Sequence, residues 1–231
     1  MNLADLFKQR LHHDPSSPLV TYYDESSGER IELSATSFAN WVNKTANLIR
    51  DEMGLSEGEA IFLDLPLHWQ SLVWVQAAWE LGITIVTTPS ASLIVTSQAN
   101  VHNFSEVELM VLSLRPLGLP CNTELPPQAM DYARVVPGHS DYFSGPSISA
   151  ERTAFGAKAS HADLIHAARQ LDYPPQTRLL TTNTALDQET LVRAWVAPLL
   201  ALGSVVVVAG SPTAERIEAI ASSEKSTYLA S

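Results

Sequence analysis

Apolar and polar positions fall into blocks with the spacings of strands and helices, and the clearest block runs from Ala60 to Pro89. Ala60 to Leu65 is short, mostly apolar and closed by Pro66, which predicts a strand buried on both faces. Leu72, Val75, Gln76, Trp79 and Glu80 then recur at helical spacing, with Trp74 and Ala78 widening the apolar stripe, so a helix is predicted over 68–81. Gly82 stands where a C-terminal cap belongs, and β-branched Ile83 to Thr88 leads to Pro89. The economical reading is two parallel strands joined by a crossover helix.

The chain before this unit reads as a helix, a hairpin and a second helix. Leu3, Leu6, Phe7, Arg10 and Leu11 form the stripe of a first helix that His12, His13, Asp14 and Pro15 bring to an end. Leu19 to Asp24 and Arg30 to Leu33 flank the turn-rich Glu25 to Gly28, a hairpin pattern. Ser34 caps a helix carrying Phe38, Trp41, Val42, Thr45, Leu48 and Ile49, and Gly54 ends it.

Beyond the central unit, strands are predicted at Leu93 to Thr96 and Leu109 to Leu114. Leu119 to Ser149 is rich in Pro, Ser and Gly and is read as irregular chain, a functional loop or a subdomain junction. Ser160 with Asp163 makes a capping box for a helix over 161–171, which Pro174 and Pro175 terminate. A strand at Arg178 to Thr182 follows. Asp187 then caps a helix bearing Leu191, Val192, Trp195, Leu199 and Leu202, kinked at Pro198 and capped by Gly203. Ser204 to Ala209 is a valine strand, Ile217 and Ile220 mark a last helix after Pro212, and Thr227 to Ala230 begins a final strand. The order strand, Trp-bearing helix, Leu-Gly, β-branched strand occurs twice, which predicts an α/β fold of two similar doubly wound subdomains, about 1–137 and 138–231.

Composition narrows the function classes. Hydrophobic residues make up 45% of 231 and charged ones 17%, which is ordinary for a folded α/β chain and excludes wholesale disorder. A net charge of -11 with no Lys/Arg cluster excludes a nucleic-acid surface. The single cysteine, Cys121, has no disulfide partner, so a reducing compartment is expected. The N-terminus lacks a signal-peptide pattern and no apolar run reaches about 18 residues, so the expected location is cytoplasmic, with no membrane contact.

Local motifs offer little chemistry. Gly138-His139-Ser140-Asp141-Tyr142 lacks the second glycine of a nucleophile elbow, and Ser222-Ser223-Glu224-Lys225 fits Ser-x-x-Lys only inside a polar turn. His161 and His166 diverge by about 140° on a helix, Asp163 serves the helix start, and His12 and His13 point apart, so no metal site is assigned. Packing between helix and sheet accounts for Trp41, Trp69, Trp74, Trp79 and Trp195 better than ligand stacking does.

The succession of these elements resembles the N-terminal region of the adenylate-forming superfamily, which includes the acyl-CoA synthetases and AMP-dependent ligases. Leu81-Gly82 with Ile83 to Pro89 resembles the family's Leu-Gly turn and strand, Ser160-His161-Ala162-Asp163-Leu164 its Thr-His-x-x-Leu helix start, and Ala197 to Ala209 its Pro-Leu-x-x-Gly and valine strand. The fold this implies is the pair of Rossmann-like subdomains of that family's large N-terminal domain. It also implies a Ser/Thr/Gly-rich ATP phosphate loop just before the Thr-His helix, built of small residues so that backbone N–H groups approach phosphate oxygens. Here that stretch, Tyr142 to Lys158, keeps only Ser144-Gly145 of the loop's start and places Glu151 where phosphates would lie, a charge that opposes ATP. The family's later motifs, including its C-terminal lysine, would follow the point where this sequence ends.

The resemblance therefore implies a truncated, non-catalytic or vestigial acyl-CoA-synthetase-like protein that acts as a binding or interaction module. One alternative is an AMP-binding ligase fragment that adenylates an acyl substrate only with a partner chain. Another is a homodimeric structural protein. No catalytic residue is assigned. The residues placed nearest a nucleotide are Ser144, Gly145, Lys158, His161 and Thr182. No cofactor is expected, ATP or AMP with Mg being admitted only where a residual site survives, and the expected partner is a second protein chain or a second copy.

Overall fold

The computed structural model describes residues 1–104 and 108–229. Helix α1 (Leu3–His13) starts from a capping box in which Asn2 and Asp5 satisfy each other's backbone amides. Strands β1 (Pro18–Asp24) and β2 (Glu29–Ser34) form the expected hairpin, and Ser34 caps α2 (Ala35–Asn47), which widens into a π-helical turn over Leu48–Glu52. Then come β3 (Ala60–Asp64), α3 (Trp69–Leu81), β4 (Thr84–Val86), β5 (Leu93–Ser97), β6 (Leu109–Leu112), β7 (Ala129–Asp131) and the single turn α4 (Tyr132–Val135). The second half holds β8 (Thr153–Phe155), β9 (Ala159–Ser160), α5 (His161–Arg169), β10 (Arg178–Thr181), α6 (Gln188–Leu191), a π-helical turn over Val192–Val196, α7 (Ala197–Leu200), β11 (Ser204–Ala209), α8 (Ala214–Glu224) and β12 (Thr227–Leu229). The expected end of that last strand, Ala230, lies outside the described residues.

Two mainly parallel sheets result. The seven-stranded sheet runs β7-β6-β5-β3-β4-β8-β9 and the five-stranded sheet β12-β10-β11-β1-β2, with β1·β2 and β8·β9 the antiparallel pairs. Both repeats of the sequence pattern appear as adjacent parallel strands, β3 beside β4 and β10 beside β11. Each sheet draws strands from both sides of residue 138. The N-terminal hairpin adds to the second sheet through β1 and β11, and β8 extends the first sheet through β4.

Helix α3 lies between the sheets, packed on α1, α2, β4 and β1, and all thirteen of its residues are buried. Burial on every side goes beyond the one widened face that its spacing predicts, because the second sheet covers the side that would otherwise meet solvent. Trp69, Trp74, Trp79 and Trp195 are fully buried there, as packing predicts. Gln76 and Glu80 are enclosed with them; Trp195 Nε1 donates to Gln76 Oε1 at 3.3 Å and Gln76 Nε2 donates to Glu80 Oε1 at 3.2 Å.

Several local readings change. The strand after Gly82 covers Thr84–Val86 rather than Ile83 to Thr88, and β6 ends at Leu112 because Leu114 turns left-handed (φ 52°). The irregular stretch 119–149 contains β7 and α4, and Cys121 and Leu125 from it pack on the outer face of the first sheet. The irregularity expected at Pro198 takes the form of a π-helical turn over Val192–Val196, the turn directly before the proline, and the helical run continues through α7. Leu202 takes the left-handed conformation (φ 55°) expected of Gly203. Gly203 is demanded by space instead, since a Cβ there would stand 1.9 Å from the Thr177 carbonyl oxygen. Among the described residues no helix is long and apolar enough to cross a membrane.

Candidate functional site

Doubly wound sheets bind ligands beyond the carboxyl ends of their strands. At that end of the second sheet, Thr182, Thr184, Val208, Ala209, Gly210, Ser211, Pro212 and Ile217 line a groove of about 330 Å³. None of these residues is charged. Asn183 is turned away from service there: its Nδ2 donates to Thr190 Oγ1 at 3.0 Å, and its Oδ1 accepts from the Ala185 amide at 3.0 Å. The Leu67 amide donates to the Thr184 carbonyl at 2.7 Å, tying this end of the second sheet to the loop after β3. Gly210 (φ 80°) forms one wall because a Cβ would meet the Ser26 amide at 2.6 Å and Asp24 Oδ1 at 2.7 Å.

The stretch corresponding to a phosphate loop, 142–158, lies against the first sheet and is held by bonds within itself and to distant parts of the chain. The Glu151 amide donates to Ser149 Oγ at 3.2 Å and the Arg152 amide to the Ser149 carbonyl at 3.1 Å. The Gly156 amide donates to the Ile85 carbonyl at 2.8 Å. Arg152 pairs with Glu57, and the Ile148 carbonyl accepts from Asn2 Nδ2 at 2.7 Å. The start of α5 is equally committed. Amides of His161 and Ala162 donate to the carbonyls of Arg152 and Ala150, and the Asp163 amide donates to Ser160 Oγ at 3.1 Å. In return, Asp163 Oδ2 accepts from the Ser160 amide and hydroxyl, which hold this carboxylate below its ordinary range.

Thr182 alone of the five sequence-indicated residues lies in the groove. Ser144 and Gly145 are exposed beside the end of α3, where a Cβ on Gly145 would stand 2.8 Å from the Glu80 carbonyl oxygen. Lys158 is exposed in the turn between β8 and β9. His161 is fully buried, edge-on to Trp79, and its Nδ1 accepts from the Leu3 amide at 3.2 Å. That bond puts the neutral ring's proton on Nε2, which has no partner. Burial, aided by Arg152, pushes its pKa down to about 4. Among the described residues no three His, Cys, Asp or Glu side chains gather as metal ligands would.

Sequence reading missed a partly buried charge network at the opposite end of the second sheet. Glu224 Oε1 accepts from Tyr23 OH at 2.6 Å and Arg30 Nη2 at 2.9 Å, while its Oε2 accepts from Arg178 Nη2 at 2.5 Å. Partners up to about 200 positions apart leave no local signal. Arg10 was the exception, a charge inside an apolar stripe; it is 3% exposed, and its Nε donates to the Gly203 carbonyl at 2.7 Å.

This arrangement is the fold of the N-terminal half of acyl-CoA synthetases. The structure of a Brucella canis acyl-CoA synthetase superposes with a TM-score of 0.80 at 16% identity, covering 98% of this chain and 46% of that one. A benzoate CoA ligase from Burkholderia xenovorans LB400 gives 0.73 at 17% identity over 95% of this chain and 48% of its own. The chain thus spans about half the length of these two proteins. No family model matches the sequence. A TIGR03089 family protein from Mycobacterium tuberculosis (strain ATCC 25618 / H37Rv) is 34% identical over 95% of this chain and 93% of its own length, and this chain belongs to that family.

Proposed function

We propose that this chain is a non-catalytic member of the acyl-CoA-synthetase-like fold, acting as a binding or interaction module rather than adenylating an acyl group on its own. The observation that carries this reading is the state of 142–158 and of the α5 start. A phosphate cradle works through backbone amides left free to point at the ligand, and a helix N-terminus adds to it only while its first amides are open. Here the first three amides of α5 are taken, an aspartate already occupies the positive end of the helix, and the amides of Glu151, Arg152 and Gly156 are spent inside the chain. Bringing ATP phosphates there requires breaking several of these bonds and placing like charges beside Glu151 and Asp163. The uncharged groove at Thr182 and Thr184 offers hydroxyls and no cation to offset a triphosphate.

Thermal unfolding with and without millimolar Mg-ATP, Mg-AMP and CoA tests the reading. A ligand confined to the folded state at a hundred times its dissociation constant adds about 2.7 kcal/mol, a readily seen rise in melting temperature. The expected result is no rise attributable to the Thr182 groove or to 142–158. ATP-dependent release of pyrophosphate by this chain alone, with an acyl substrate, would overturn it.

A further inference from the structure

A polar groove opens at the amino ends of the second sheet's parallel strands, opposite the groove at Thr182. It encloses about 630 Å³, the size of a small-metabolite site, and the first residues of three parallel strands, Pro18, Arg178 and Ser204, lie on its wall. Its charges divide into committed and uncommitted groups. Arg178 is neutralised by Glu224 and lies 3.7 Å from Glu32. Asp14 Oδ1 accepts from the Ser17 amide at 3.2 Å.

Arg10 and Lys225 are different. Arg10 is almost wholly buried, yet among the described residues no carboxylate comes within ion-pairing distance of it. Its contacts are the backbone carbonyls of Gly203 and Asp14, each at 2.7 Å, and of Pro18 at 3.5 Å. A guanidinium has five N–H groups, so this set leaves donors over, and carbonyl dipoles do not cancel a full charge. Buried charges are ordinarily paired. Lys225 sits across the groove in the left-handed conformation that ends α8 (φ 51°), exposed and likewise without an ion pair among the described residues. Asp14, on the same groove, acts on Arg10 only through space, so two cations without a carboxylate in contact share one groove in a chain of net charge -11.

The geometry points to an oxyanion site here: a small phosphate- or carboxylate-bearing molecule binds between Arg10 and Lys225, with the hydroxyls of Ser17, Ser204 and Ser223 on the same wall. The anion supplies a carboxylate or phosphate oxygen in direct contact with Arg10, where Asp14 acts only at longer range. It lies at the strand end away from the Thr182 groove, so it stands independently of the reading given above.

The test is an NMR titration of the intact chain with inorganic phosphate and, separately, with citrate, each against sodium chloride at matched ionic strength. The expected result is saturable movement of the Gly203, Ser204 and Lys225 amide signals with at least one of the two oxyanions and not with chloride. Selectivity between phosphate and citrate assigns the ligand's chemistry. Lys225→Glu, at an exposed position, should weaken binding about fivefold or more, and Lys225→Arg should retain it. Movement that never saturates, that chloride reproduces, or that is equal in Lys225→Glu overturns the site. The same variant separates the two proposals: an ATP-induced melting shift lost in Lys225→Glu belongs to this groove, and one that persists counts against the non-catalytic reading.

Discussion

The two ends of the five-stranded sheet are built from opposite materials. The groove at the carboxyl end, where doubly wound folds place their ligands, is lined by threonines, small residues, Ile217 and proline, with no charged residue among them. At the amino end are Arg10, His13, Asp14, Glu32, Arg178, Glu224 and Lys225. In this chain strand polarity therefore does not tell where the charged groups gather. Side chains that reach the amino end from α1, β2 and α8 decide it, and they come together only because the N-terminal hairpin joins this sheet through β11.

The largest effect that would break this comparison is expected at Gly203. Gly203→Ala forces a methyl group into the Thr177 carbonyl, and because the obstacle is backbone, the cost should reach about 3 kcal/mol. For a chain of this size that lowers the melting temperature by about 6–12 °C. A loss under about 2 °C would mean that the amino end yields easily and is not a rigid platform.

Glu224→Gln comes next, at about 2 kcal/mol in chemical denaturation, since it leaves Arg178 without its closest carboxylate. Burial tends to raise the pKa of Glu224, but hydrogen bonds from Tyr23, Arg178 and Arg30 outweigh it and hold the value at about 2. A carboxylate with a depressed folded pKa contributes stability that is present above its ordinary value of 4.5 and lost as the pH falls toward 2. The stability gap between the natural chain and Glu224→Gln should therefore close over that window. A gap unchanged at pH 3 would sink the assignment of charge to this carboxylate.

Lys225→Gln should change stability by no more than about 0.5 kcal/mol while weakening oxyanion binding, which separates recognition from folding at the amino end. The smallest effect is expected from Thr182→Val at the carboxyl end, with phosphate affinity unchanged and melting within about 2 °C of the natural chain. Loss of phosphate binding in that variant would show that the ends had been assigned the wrong way round.

Much of the fold was legible because its signals are local. The capping residues Ser34, Ser160 and Asp187 and the left-handed Gly82 mark helix ends through bonds made within a few residues, and each stands where the sequence places it. The strands β7, β8 and β9 were not legible. They are two or three residues long, too short for an alternation to register, and they exist because β6 and β4 offer unpaired edges beside them. The family resemblance found the stretch 142–158, but its closure depends on Asn2, Glu57 and Ile85, residues far away in the chain.

The sequence by itself determined the order of the longer helices and strands, the α/β class, the repeated strand-helix-strand pattern and the absence of a Thr-Thr-Gly loop core, because each rests on residue types within one or two turns of chain. Tertiary structure alone decided that the hairpin belongs to the second sheet, that α3 is enclosed on every side, and that Arg10 meets Gly203 across 193 positions. Those outcomes depend on which surfaces meet once the elements exist. A hydrophobic stripe states that a face will be covered, but the covering partner, and any charge stranded at its margin, is set by the packing of the whole chain.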